Sequence, residues 1–126
     1  MSCAPQPQRM NTTVQEFLDG NAIRELLVDS CITGELADGR PYQRSWTEDK
    51  LEEVHTGHNN PLRWHYYHGT WSVSDDGIYK RTILPWTRYY MIARNGDTVI
   101  WVEIDENGNG LGNKYYGVIG DGCSRL

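Results

Sequence analysis

Phenylalanine is nearly missing from this sequence: there is one, against eight tyrosines and five tryptophans. Tyr and Trp carry a polar tip on an apolar body. They suit cross-strand pairs, half-wet pocket walls and binding faces better than a dry Phe core would. Clusters of positive charge are missing too. Twelve Lys and Arg against seventeen Asp and Glu leave a net charge of −5, with the signs intermixed. Without a basic stripe there is no electrostatic footprint for nucleic acid and no patch for an anionic membrane surface. No stretch approaches the roughly 20 apolar residues of a membrane-spanning helix. Of the three cysteines, Cys3, Cys31 and Cys123, none stands in a C-x-x-C pair, which argues against thiolate zinc and thioredoxin-like chemistry. No G-x-S-x-G, P-loop or dinucleotide fingerprint is present, and no cofactor is implied. At 126 residues the chain suffices for one modest core.

Residues 1–11, MSCAPQPQRMN, read as a disordered tether, and 12–126 as a single β-rich domain. The leader has no apolar h-region and so is not, as written, a signal peptide. Cys3 ahead of a Pro/Gln-rich stretch resembles the mature end of a bacterial lipoprotein, with a lipid anchor on Cys3 and Met1-Ser2 as a remnant. An ordinary cytoplasmic start is the alternative. Thr13 to Glu16 forms a T-x-x-E capping box, and Asn21 is a plausible N-cap for NAIRELLVD. Ile23, Leu26 and Leu27 fall at i, i+3 and i+4, one apolar stripe. These signals predict two short helical pieces between about residues 12 and 28.

After Val28 the period changes. Asp38-Gly39, Asp76-Gly77, Asn95-Gly96, Asn107-Gly108 and Asn109-Gly110 are the dipeptides of tight hairpin turns. Between them lie CITGEL, YQRSWT, KLEEVHT, LRWHYYHGTWSV, IYKRTIL, TRYYMIAR, TVIWVEI and KYYGVI. Pro41, Pro61 and Pro85 fall at strand ends or loops, where a missing N–H costs least. The fold class expected is α+β but mainly antiparallel β: about eight short strands in a meander forming a small barrel or half-barrel, with short N-terminal helices. In TVIWVEI the apolar face is Thr98, Ile100, Val102 and Ile104, with Trp101 and Glu103 pointing the other way. In the long strand, Trp71, Gly69, Tyr67 and His65 share one face and Trp64, Tyr66 and His68 the other, unless Gly69 marks a bulge.

Three segments, GNAIRELLVDSCITGELADGRPY, GTWSVSDDGIY and RYYMIARNGDTVIWVEIDENG, resemble in order a bacterial family of small exported proteins of unknown function, over roughly residues 20 to 108. The resemblance implies an antiparallel β fold and a periplasmic or envelope location, and supplies no activity. The chain has Tyr79 and Tyr89-Tyr90 where that family carries Cys and Cys-Tyr. The G-x-W also resembles the signature of lipocalin-like barrels.

All four histidines fall within HTGHNNPLRWHYYH, residues 55 to 68. On a strand, His65 and His68 point to opposite faces and cannot share an ion. A metal site needs His55 and His65 to pair across the hairpin at Asn59-Asn60, with His58 on the loop, and a one-residue slip separates them. Asp105, Asn107, Asn109 and Gly110 mimic the start of a calcium loop. The twelfth position, however, is Tyr116 rather than Glu, so a hairpin turn is the better account. The first functional expectation is an exported domain binding a small molecule through Trp64, Tyr66, Trp71, Trp86, Tyr90 and Trp101, with His65, Tyr67 and Arg88 as polar anchors. The alternatives are a small barrel enzyme using a histidine as general acid or base, with His65, His55 and Glu53 as candidates, and an envelope protein that binds another protein through a flat aromatic face. The acidic run Glu48, Asp49, Glu52 and Glu53 reads as a solvated face. Closure of the meander would bring its first and last strands together and Cys31 near Cys123, close enough for a disulfide.

Overall fold

The computed structural model describes residues 16–57 and 63–120. Among them are one helix, α1 (Gly20–Leu27), and eight strands: β1 (Cys31–Glu35), β2 (Pro41–Trp46), β3 (Lys50–Thr56), β4 (Trp64–Val73), β5 (Tyr79–Ile83), β6 (Trp86–Asn95), β7 (Thr98–Ile104) and β8 (Gly110–Gly120). The molecule is therefore mostly β, and the α+β expectation overstates its helix. Each strand pairs antiparallel with its neighbour in sequence. The first and last strands close on each other through Cys31↔Gly120, Ile32↔Ile119 and Thr33↔Val118, so this is a closed barrel rather than a half-barrel. Closure removes both free edges.

Hairpin dipeptides make four of the seven connections between strands. Gly39, Gly77, Gly96 and Gly108 take φ of 88°, 95°, 62° and 90°, values open to glycine at no steric cost. Asn109-Gly110 is an exception: Gly110 already begins β8. Asp105 closes that last hairpin, its Oδ1 accepting from the amides of Asn107 and Asn109, both at 2.9 Å. Those bonds hold the Asp105 carboxyl below its usual pKa. A carboxylate engaged by its own turn fits a hairpin, not a calcium loop.

The first of the two expected helical pieces falls partly outside the described residues, and over residues 16–19 there is no helix. Residues 12–15 lie outside the described residues, and Phe17 makes a β-bridge to Ala93 instead. The real N-cap of α1 is Asp19, whose Oδ1 accepts from the Ala22 amide at 2.9 Å. Asn21, the expected cap, sits inside the first turn. The apolar stripe was placed correctly: Ile23 and Leu27 are fully buried and join the core with Leu26.

Side-chain alternation gives the barrel two unlike ends. Near the β2–β3, β4–β5 and β6–β7 turns, Ile32, Trp46, Leu51, Trp71, Tyr79, Ile92 and Val99 point inward and pack under α1. Trp46 and Trp101 stack with centroids 5.8 Å apart, and Trp46 Nε1 donates to Tyr79 Oη at 2.8 Å. Trp71 Nε1 donates to the Thr47 carbonyl at 2.9 Å. Burial pushes the Tyr79 phenol up to about 12. This end is apolar and filled.

Two face assignments resolve here. In β4 the Trp71 face is the inner one, with Leu51↔Gly69 in unbroken register, so Gly69 is no bulge. In β7 the inner face is Val99, Trp101 and Glu103, not the more apolar Ile100 and Ile104 side. Both faces of β7 are in fact buried, Ile100 at 7% and Ile104 at 3% exposure, which is why hydropathy alone misassigns it. Cys31 is disulfide-bonded. Cys3 and Cys123, the possible partners, lie outside the described residues. No helix among the described residues is long and apolar enough to cross a membrane.

Candidate functional site

The open end of the barrel is lined by charge and rings. Arg44 on β2, Glu53 on β3 and Arg81 on β5 point inward from three strands. Glu53 Oε1 accepts from Arg44 Nε and from Arg81 Nη2, each at 2.8 Å. His55 Nε2 stands 3.5 Å from Glu53 Oε2. Glu53 is only 5% exposed, so an unpaired charge there would be costly. Burial by itself would raise its pKa, but the Arg44 and Arg81 guanidiniums more than offset that and hold the carboxyl below its usual range. Glu53 was expected on a solvated acidic face. Only Glu48, Asp49 and Glu52 of that run are exposed.

A second carboxylate, Glu103, points inward from β7. Glu103 accepts from Arg88 Nη1 at 3.2 Å and from Asn113 Nδ2 at 3.1 Å. Arg44 lies over the Tyr42 ring, with Cζ 4.1 Å from its centroid, a cation–π arrangement. Tyr42 Oη, Arg81 Nε and Trp101 Nε1 are shut off from solvent and have no hydrogen-bond partner among the described residues. Such groups are few in folded proteins, and each costs about 1–3 kcal/mol.

Two hollows open between these groups. One, of about 220 Å³, runs between Tyr42, Arg44, Tyr90, Trp101 and Tyr115 toward Leu36 and Ala37 at the mouth. The other, of about 300 Å³, lies between His55, Tyr67, Ile83, Leu84 and Trp86. Glu53, Arg81 and Arg88 line both. A shallower hollow of about 560 Å³ on the outside, along β1 and β8, is lined mostly by exposed residues such as Thr33, Tyr116 and Val118.

The structure sorts the sequence-predicted residues. Tyr67, Trp86 and Arg88 line the second hollow, Tyr90 and Trp101 the first. Trp71 belongs to the filled end, under Arg24, whose Cζ is 5.4 Å from its ring. Trp64 and Tyr66 alternate onto the outer face, and Tyr66 is 49% exposed. They cannot share a cavity with Tyr67. The His55↔His65 register is realised, and His55 stacks on Tyr67 at 4.6 Å. His65 stands on the same inner face, 6.5 Å from Tyr67 by ring centroids, and lines neither hollow. No group of three or more His, Cys, Asp or Glu among the described residues is placed to hold a metal ion; His58 lies outside them.

Both ring nitrogens of His55 face oxygens: Nδ1 is 3.1 Å from the Thr56 carbonyl and Nε2 faces Glu53. A general base needs a nitrogen aimed at its substrate, and both nitrogens of His55 are aimed at protein oxygens. Arg44 and Arg81 were missed in the sequence reading, although the signal was there. Arg44 alternates with Tyr42 and Trp46, and Arg81 with Tyr79, so each shares a face with buried aromatics. No family model, curated protein or solved structure matches this chain.

Proposed function

We propose that this barrel binds a small molecule in its open end. One observation carries the reading: two hollows meeting at Glu53, Arg81 and Arg88, walled by Tyr67, Trp86, Tyr90 and Trp101. An apolar, aromatic cavity with a few convergent polar groups is the usual form of a small-molecule site. Substantial polar groups sit in a barrel that could have been filled with apolar side chains. The exported, envelope-associated setting is part of the same proposal. It draws on the resemblance to small exported proteins and on the Cys31 disulfide, a bond that persists in oxidising compartments. Catalysis by a histidine is the weaker reading, since both nitrogens of His55 face protein oxygens, those of Glu53 and Thr56.

The test is a panel of chemically varied small compounds titrated against intrinsic tryptophan fluorescence. Trp86 and Trp101 both line the site, so an occupant changes their emission. Saturable changes are expected for some members and are expected to weaken several-fold in Trp86→Ala. A panel that produces no saturable change would sink the reading.

A further inference from the structure

We infer that the ligand is a small aromatic carboxylate, its carboxylate held between Arg81 and Arg88 and its ring lying against Tyr67, Ile83 and Trp86. The inference rests on the binding reading above and names the class of ligand. Arg81 and Arg88 are direct cross-strand partners on the inner face of β5 and β6. Like charges placed opposite each other on adjacent strands repel. One of the two carboxylates beside them is shared with a third arginine. Glu53 divides one oxygen between Arg44 and Arg81, and Glu103 serves Arg88. Among the described residues, the guanidiniums of Arg44, Arg81 and Arg88 stand beside the carboxylates of Glu53 and Glu103 inside the barrel; Glu35, at the mouth, is exposed. Arg81 Nε has no hydrogen-bond partner among the described residues.

An anion between the two guanidiniums relieves that repulsion. In a partly buried site, charge pairing is worth more than in bulk water. Guanidinium prefers planar oxyanions, which it meets with paired N–H groups. Arg88 is reachable, its side chain 48% exposed. The rest of the ligand is set by the walls. The second hollow, about 300 Å³, has room for a ring system rather than a long chain, and beside it Leu84 and Trp86 stand 85% and 66% exposed at the rim. Large apolar side chains held open at a mouth are available to cover an aromatic body.

Isothermal calorimetry on the full chain at low salt, with three probes of one shape, tests this. The probes are 1-naphthoate, the neutral 1-naphthamide and the cationic 1-naphthylmethylammonium. The expected order is naphthoate at least tenfold tighter than the amide, with no measurable heat from the ammonium. Arg88→Met is expected to bring naphthoate down to the amide. The three-probe comparison on the unaltered protein stands even if that variant folds poorly. Equal affinity for naphthoate and amide overturns the anion assignment and leaves the pocket reading intact, as does tighter binding of the ammonium. Silence from all three probes also overturns it, and the fluorescence panel then decides separately whether the cavity binds anything.

Discussion

Glu53 is the residue on which the inside of this barrel turns. It holds two guanidiniums with one oxygen and faces a histidine with the other. Removing one member of a buried ion pair leaves the others uncompensated, at about 3–5 kcal/mol. Glu53→Gln keeps the shape and discards the charge, so a loss near the lower end of that range is expected in urea unfolding at neutral pH. A variant as stable as the native chain would show that the cluster contributes no net stability. The pH dependence follows from the same pair. The folded-state pKa of Glu53 lies below its ordinary value of 4.5. The native state therefore favours the charged form, and its contribution is complete above the unfolded pKa and fades as pH falls through the folded one. The stability gap between native chain and Glu53→Gln is expected to narrow below about pH 4.5 and to be flat above pH 6. Nothing in the run TEDKLEE marks this carboxylate as buried. Its inward direction depends on a register that only the paired strands supply.

At the scale of elements, the sequence was most readable where chemistry is local. The eight runs became eight strands, and four of the seven connections between them carry Asp-Gly or Asn-Gly, whose positive φ is a property of two residues and needs no partner. Local signals compete, however, and Asp19 and Asn21 could each cap α1; the bridge from Phe17 to Ala93 fixes where the extended chain ends and so selects Asp19. Gly69 illustrates a constraint that sequence cannot show. A Cβ there would lie 2.2 Å from the Thr82 carbonyl oxygen on β5, closer than real atoms approach. Gly69→Ala is therefore expected to lose about 1–3 kcal/mol through forced backbone displacement, read as a lowered midpoint in thermal unfolding. No change would mean the two strands have slack at this crossing. The seam between β1 and β8 gives a covalent prediction. Cys31 pairs with Gly120 in register, and Cys123 is three residues further on. Peptide mapping without reductant is expected to recover Cys31 joined to Cys123, and reduction to cost about 2–4 kcal/mol. A Cys31–Cys3 peptide would assign the bond to the N-terminal segment instead.

The whole molecule separates a filled apolar interior from a charged, hollow one along the barrel axis. Under α1 the interior is apolar and filled; toward the β1–β2 and β5–β6 turns it is charged and hollow. That gradient also explains what the sequence reading could not distribute. A search for aromatic residues collects both ends alike, so Trp71 and Trp86 looked equivalent when one is 5% and the other 66% exposed. Their division follows from which turns each strand end meets, a property of the closed sheet. The two ends should then respond independently to substitution, since sites well separated and without shared partners behave additively. Leu27→Ala removes a fully buried side chain from the filled end and is expected to cost about 2–5 kcal/mol while leaving the affinity for an aromatic carboxylate within twofold. Trp86→Ala removes a mostly exposed side chain and is expected to change stability by no more than about 0.5 kcal/mol while weakening that affinity several-fold. Unfolding curves and calorimetric titrations on the same two variants measure all four quantities. If Leu27→Ala weakened binding as much as Trp86→Ala, the cavity would depend on packing at the far end, and the barrel would have to be treated as one coupled core rather than a filled base beneath a binding mouth.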